Sequence, residues 1–382
     1  MTFSDVRNIL VIKLRHIGDV LLTVPVFRAL KESFPRARLT ALVNAGTEDI
    51  LRGNALIDRV IALDRSVKDL SLPVRLVRET AFIAGIRKAR FDMTVDLTGG
   101  DRAALLSLLS GAAYRIGWMP KKGFPGKRRC YTHLCKPDST RHMVLQNLDV
   151  VARWGIDTDD LSVGIPVTPE DRAAVDALLE RHGFSKNGKA VHIHPTSRWL
   201  FKCWNDRFMA GIIRRLLKEG ATVIVTSSPD RREIRKAKAI LSAAGPDDHL
   251  IDLCGRTTLK QLAAVSGRSR LFFGVDSAPM HVAAATGIPV VALFGPSGAF
   301  NWGPWYNGGS RRELEAAGGT PYPRRNGIQT FGTHTVIQED FECVPCGSDG
   351  CQGSKISRCL EELGVDVVTA ILLEKLHAGV RQ

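Results

Sequence analysis

Leu271 to Ser297 reads LFFGVDSAPMHVAAATGIPVVALFGPS, and its reading decides the fold. Leu271–Val275 is a short apolar run between Arg270 and Asp276, as in a buried strand. Asp276-Ser277 then opens a helix. Asp is a good N-cap, and Pro279 falls in the first turn, where its missing N–H costs little. The helix is expected to stop near Thr286-Gly287. Pro289–Phe294 is a second buried strand, ended by Gly295-Pro296. Strand, helix and strand in so short a span make the unit of a parallel sheet. Backbone N–H groups and the helix dipole converge at the turn before the helix, which suits an anion such as a diphosphate. Ser277 and His281 are four apart and share a helix face. The same pattern also suits a plain capped unit, with Asp276 as the cap and His281 as a packed core histidine.

Outward from this unit the alternation continues in both directions. Asn8–Leu14, Leu39–Val43, Val60–Leu63 and Phe91–Leu97 read as strands, and Val20–Phe34, Leu76–Ala89 and Arg102–Ser110 as helices. After a link over 155–169, Ala190–His194, Thr222–Thr226 and Leu250–Leu253 are strands. Helices are expected at Pro169–His182, Asp206–Lys218, Asp230–Ala243 and Leu259–Ser266. Asn301–Gln338 reads as irregular, and Val365–Leu376 as a closing helix. The fold class is α/β, with two Rossmann-like domains, 1–168 and 169–382, facing each other across a cleft. Ligands in such sheets bind outside the carboxyl ends of the strands. Three turns there carry chemistry: Arg15–Asp19, Thr196–Lys202 and Asp276–His281. Asp19, after Gly18, suits either a base or a helix N-cap.

At 382 residues the chain has room for two such domains. Lys and Arg number 53 against 39 Asp and Glu, a formal charge of +14 that favours an acidic partner. Arg102 to Pro137 holds eight of the basic residues and no acid, interleaved with Tyr114, Trp118, Phe124 and Tyr131. It reads as a long basic loop, functional or merely solvated. Nucleic acid is not the expected partner, for no RNP, zinc-finger or helix-turn-helix signature is present. No GxGxxG follows Leu14 or Val275, which argues against a dehydrogenase. The longest apolar runs, such as Ala103–Tyr114, fall short of the roughly 20 residues that span a bilayer. The start lacks a signal-peptide pattern, so a cytoplasmic location is expected. Cys343, Cys346, Cys351 and Cys359 are open to three readings: reduced thiols, a metal site or a disulfide.

Two motifs resemble the ADP-heptose:lipopolysaccharide heptosyltransferases, glycosyltransferase family 9, which have the GT-B fold. ILVIKLRHIGDVLLTVPVFRALKESFP is similar to their opening signature, and GVDSAPMHVAAATGIPVVALFGPS to their donor-binding signature. CVPCGSDGCQGSKISRCL and HMVLQNLD resemble the branch that adds the third heptose of the inner core. The resemblance implies an inverting single displacement. Heptose would pass from ADP-heptose to a heptose of the lipid A–inner core acceptor, with Asp19 as base and Gly18 keeping the turn tight. Lys202 would bind the diphosphate and neutralise departing ADP, so no metal or other cofactor is expected. Thr196 and Ser197 match hydroxyls that contact phosphate. Asp276, Ser277, Ala278 and His281 match the donor-binding turn, Ser277-Ala278 standing where many members have Thr or Ser followed by Gly. Thr257 falls at the adenine pocket, and Ser228 and Glu233 near the ribose. Arg115, Lys121, Lys122 and Arg141 are the acceptor-binding candidates. The basic surface would also hold the chain on the anionic cytoplasmic face of the inner membrane. Other readings are the same fold acting on another nucleotide sugar or a protein acceptor, or a non-catalytic basic nucleotide-binding protein. A pure binder, however, has no use for a carboxylate base.

Overall fold

A computed structural model describes residues 3–184 and 189–378. The chain divides into two compact units, Met1–Pro166 and Val167–Gln382. The first holds a six-stranded parallel sheet of β1 (Asn8–Lys13), β2 (Arg38–Asn44), β3 (Arg59–Leu63), β4 (Met93–Asp96), β5 (Tyr114–Trp118) and β6 (His133–Cys135). The second holds β7 (Ala190–His194), β8 (Thr222–Ser227), β9 (Leu250–Cys254), β10 (Leu271–Val275), β11 (Val290–Phe294), β12 (Gln329–Phe331) and β13 (His334–Gln338). Only β12 runs antiparallel to its neighbour. Helices link the parallel strands, so central strands are buried on both faces and read as continuous apolar runs. That is why β1, β10 and β11 stand out in the sequence, every residue of the last two being buried.

The strand orders are β3-β2-β1-β4-β5-β6 and β12-β13-β11-β10-β7-β8-β9. Each reverses direction once, between β1 and β4 and between β7 and β10. At such a switch point the loops leaving adjacent strands diverge and open a crevice at the carboxyl edge. Chain geometry thus puts the loops after β1 and β4 side by side in the first unit, and those after β7 and β10 in the second.

Several sequence expectations need correction. The helix expected over Val20–Phe34 is two, Ile17–Leu21 and Val24–Ser33. Pro25 lies in the first turn of the second, where it has no N–H to continue the ladder. Arg15–Asp19 is therefore not all turn, since Asp19 sits inside the first helix. The Arg102–Pro137 segment is no long loop, for it contains β5, β6 and a 3-10 turn at Lys127–Cys130. Asn301–Gln338 contains the end of the helix Ala299–Trp302, the short helix Arg311–Ala316 and the β12–β13 hairpin. The helix expected over Leu76–Ala89 begins earlier and spans Leu72–Lys88.

A buried polar chain crosses the centre of the second sheet. Ser266 Oγ lies 2.9 Å from His192 Nδ1; Thr226 Oγ1 lies 2.8 Å from both His192 Nε2 and His194 Nδ1. Burial holds both imidazoles neutral, His192 well below its usual range and His194 down to about 3. Burial likewise lowers His334, on β13, to about 4. These groups bind protons in the unfolded chain below about pH 6.5 but not in the folded one, so stability is complete above that pH and falls below it. Denaturant titrations should show the second unit losing on the order of 3 kcal/mol between pH 7 and 5.5. A flat profile would mean that the imidazoles take up protons in place.

Gly274 pairs with His194 across β10 and β7, and an added Cβ would come 2.7 Å from the His194 carbonyl oxygen. Gly274→Ala should therefore destabilise by about 1–3 kcal/mol. An unchanged Tm would show that the strands have room to part.

Candidate active site

In the second unit the switch point is occupied by charge. The segment after β7 carries Thr196, Ser197 and a 3-10 turn at Leu200–Lys202. The segment after β10 carries Asp276 and Ser277, then the helix Ala278–Ala285. Lys202 Nζ donates to Asp276 Oδ2 at 2.6 Å, and the ammonium also lies 5.4 Å from the Trp199 ring centre. Asp276 is thus not the helix cap that its place in the sequence suggests. Ser277 holds the N-cap position, but its hydroxyl makes no cap bond. Among the described residues, Ser277 Oγ is buried without a hydrogen-bond partner, as is Thr257 Oγ1 after β9. Each such group costs free energy until something bonds to it. Ala278 opens the helix and His281 is buried one turn on, with the first N–H groups of the helix pointing out of the same end.

Thr196 and Ser197 lie at the base of this site, both buried. The Thr196 hydroxyl donates to Glu233 Oε2 at 2.9 Å, and Ser228 donates to Glu233 Oε1 at 2.6 Å. Glu233 is buried and so ties the loops after β7 and β8 together. Its bridging role was not legible in the sequence, which marked it only as lying near a turn. Ser197 Oγ accepts from the Trp199 N–H at 3.3 Å, so the bulky Arg198-Trp199 pair is part of the loop's own turn. Thr196, Ser197, Lys202, Ser228, Thr257, Asp276, Ser277, Ala278 and His281 all follow strands at one edge of one sheet.

In the first unit Asp19 lies in the first turn of Ile17–Leu21, whose N-cap is His16. It therefore does not cap the helix. Among the described residues its carboxylate enters no hydrogen bond or ion pair. Gly18 is buried in ordinary helical backbone, so its place does not rest on a left-handed conformation. The sequence reading overlooked Lys13. This lysine is buried, and its ammonium donates to the Leu97 carbonyl at 3.0 Å and to Asn147 Oδ1 at 2.9 Å. Burial lowers its pKa to about 8, while the charges of Asp19 and then Asp96 oppose that fall. A lysine ending a buried strand, where an apolar residue belongs, is the signal that could have found it. Asp96 is held by Tyr131 at 2.5 Å and by the Thr98 and Gly99 N–H groups. Burial raises its pKa, and these bonds oppose the rise. It thereby fixes the turn after β4, whose Thr98 also bonds to Leu14 and Arg15 after β1.

The acceptor candidates divide. Lys121 and Lys122 are exposed and follow β5 at the carboxyl edge. Arg141 leads into the helix Met143–Ala152 and pairs with Asp149 at 3.0 Å. Arg115 sits near the amino end of β5, and its guanidinium donates to the Cys130 and Ala112 carbonyls. It is a strut of its own unit, away from the carboxyl edge. Lys127, counted in the basic segment, is likewise buried, bonded to the Gly99 carbonyl and paired with Asp101 at 2.9 Å. The eight cysteines are unbridged. Burial first, then Cys351, Cys346 and Cys343, push the Cys359 thiol up to about 11. Among the described residues, no helix is long and apolar enough to cross a membrane, and no cluster of His, Cys, Asp or Glu is arranged to hold a metal ion.

Residues 80–311 match the profile of glycosyltransferase family 9 (heptosyltransferase). Lipopolysaccharide heptosyltransferase 3 of Escherichia coli is 30% identical over 295 residues, 77% of this chain and 85% of that one. Among solved structures, E. coli ADP-heptose lps heptosyltransferase II superposes with a TM-score of 0.73 at 19% identity, covering 98% of this chain and 99% of the other. E. coli heptosyltransferase WaaC with ADP-2-deoxy-2-fluoro heptose gives 0.63 at 19%, covering 96% and 99%. With two parallel-sheet units and these neighbours, the architecture is the GT-B fold. The chain is a heptosyltransferase that belongs to glycosyltransferase family 9.

Proposed function

We propose that the enzyme moves heptose from ADP-heptose to a heptose of the lipopolysaccharide inner core, with inversion at the anomeric carbon. The observation that carries this is the second unit's switch point, where a lysine, a helix N-terminus and unpartnered buried hydroxyls line one edge. Such an edge attracts a sugar diphosphate. The donor follows from the similarity to E. coli ADP-heptose lps heptosyltransferase II and to WaaC with ADP-2-deoxy-2-fluoro heptose, and the acceptor from that to lipopolysaccharide heptosyltransferase 3. Third-heptose addition is favoured by the 30% identity with heptosyltransferase 3.

In the proposed reaction Asp19 takes the proton of the acceptor hydroxyl as that oxygen attacks the anomeric carbon. The carbon–oxygen bond to ADP breaks on the opposite face. Asp19 suits the base because its carboxylate enters no hydrogen bond among the described residues and faces the charge of Lys13. Lys202 exchanges Asp276 for the diphosphate and stabilises the charge that gathers on the leaving group. Ser277, Ala278, His281, Thr196 and Ser197 hold the diphosphate and sugar, and Thr257 and Ser228 the nucleoside. With a fixed ammonium and a helix N-terminus on the phosphates, the step proceeds without a metal ion. Lys121, Lys122 and Arg141 meet the acid groups of the acceptor. That acceptor is borne by a lipid, so the enzyme works peripherally at the cytoplasmic face of the inner membrane. Nucleic acid is not a partner.

Transfer from ADP-heptose to cores bearing one, two or three heptoses, followed by mass spectrometry, tests this. One heptose should be gained on the two-heptose core alone. No gain on any core while ADP still binds would turn the reading to another donor or acceptor. Asp19→Asn should lower kcat by about 10²–10⁴-fold with little change in donor binding. Lys202→Met should cost about 10²–10³-fold in kcat. Full activity with chelator present is expected throughout, and loss restored by a divalent ion would contradict the metal-free step.

A further inference from the structure

The helix Leu72–Lys88 starts at the carboxyl edge of the first sheet, because it leads from the end of β3 to the start of β4. Only its later turns are anchored: Phe82, Ile83 and Ile86 pack into the core, and Glu79 accepts two bonds from Arg102. The first two turns project from the unit, and every residue over 71–78 is exposed. Their side chains are not those of a solvated surface. Leu72 and Val77 are each 67% exposed, Leu76 55% and Val74 45%. So dense a cluster of exposed aliphatic side chains marks an interaction surface.

The arrangement is amphipathic. At about 100° per residue, Leu72, Leu76, Val77 and Val74 span one broad arc, and Arg75 and Arg78 fill the remaining sector. Arg65 and Lys68 are exposed just before the helix, against Asp64 and Asp69. Lys121 and Lys122 follow β5 at this same edge. An aliphatic arc rimmed by arginines complements one kind of surface, a bilayer with anionic headgroups. Leucine and valine enter the headgroup–acyl boundary while arginines remain at the phosphates.

We propose that the projecting start of this helix, Leu72 to Arg78, docks the enzyme on an anionic lipid bilayer. The helix that carries Asp19 follows β1 at the same edge, so docking presents the base toward the lipid surface. Only this orientation rests on the lipid-borne acceptor proposed above. The docking itself rests on exposure and charge.

Co-sedimentation of the full chain with vesicles free of lipopolysaccharide tests it. The wild type should bind phosphatidylglycerol-containing vesicles and bind pure phosphatidylcholine far more weakly. Leu72→Gln, Leu76→Gln and Val77→Gln together should weaken binding by about tenfold or more. Arg75→Gln with Arg78→Gln should weaken it by about fivefold for each arginine and reduce its salt dependence. Both variants should keep the wild-type Tm and transfer heptose to a deacylated, water-soluble core at the wild-type rate. Unaltered vesicle binding in the aliphatic variant overturns the proposal. So does a change in that variant confined to oligomeric state, which would make a second copy the occupant. Absence of transfer to the soluble core in every form would instead defeat the heptose reading and leave the vesicle result standing.

Discussion

Gly274 faces His194 across two parallel strands with no space for a side-chain carbon between them. The second unit depends on that close pairing. It holds β10 against β7, and so sets the loops leaving their carboxyl ends next to each other. Lys202 and Asp276, distant in sequence, meet at 2.6 Å as a consequence. Both are largely buried, and either alone would be a costly charge. As a pair they keep an ammonium at the carboxyl edge of the sheet. The neutral histidines beneath form a buried polar layer, joined through the Ser266 and Thr226 hydroxyls.

The first unit uses the same topology to opposite electrostatic effect. Its switch point lies between β1 and β4, where Asp96 grips the turn at Thr98–Gly99. Lys13 is fixed by hydrogen bonds to Leu97 and Asn147, and the charges of Asp19 and Asp96 oppose the fall of its pKa. One unit thus carries a carboxylate facing a buried lysine at its switch point, and the other a compensated cation with a helix N-terminus.

Net charge is a poorer guide to surface than it first seems. Lys127 and Arg115 are spent inside the first unit, bonded to carbonyls of their own chain. Basic residues at the carboxyl edge, such as Lys121 and Lys122, are the ones left for partners. The aliphatic start of Leu72–Lys88 projects from that edge too, although its composition differs little from that of an ordinary buried helix.

The sequence by itself determined the alternation of strands and helices, because central parallel strands are covered on both faces and must be apolar throughout. It also marked the turns that carry Asp19, Lys202 and Asp276, since polar residues directly after such strands stand out. It misjudged β5 and β6, whose short runs YRIGW and HLC carry too little apolar contrast to be seen. Asp276 looked like a cap because local pattern cannot register a lysine 74 residues away. The partners of Lys13, the bridge made by Glu233 and the exposure of the turns at Leu72 were settled by tertiary structure alone. Whether a polar side chain is buried and bonded, or an aliphatic one left in water, depends on which distant segments pack against it, and that information is not carried in local sequence.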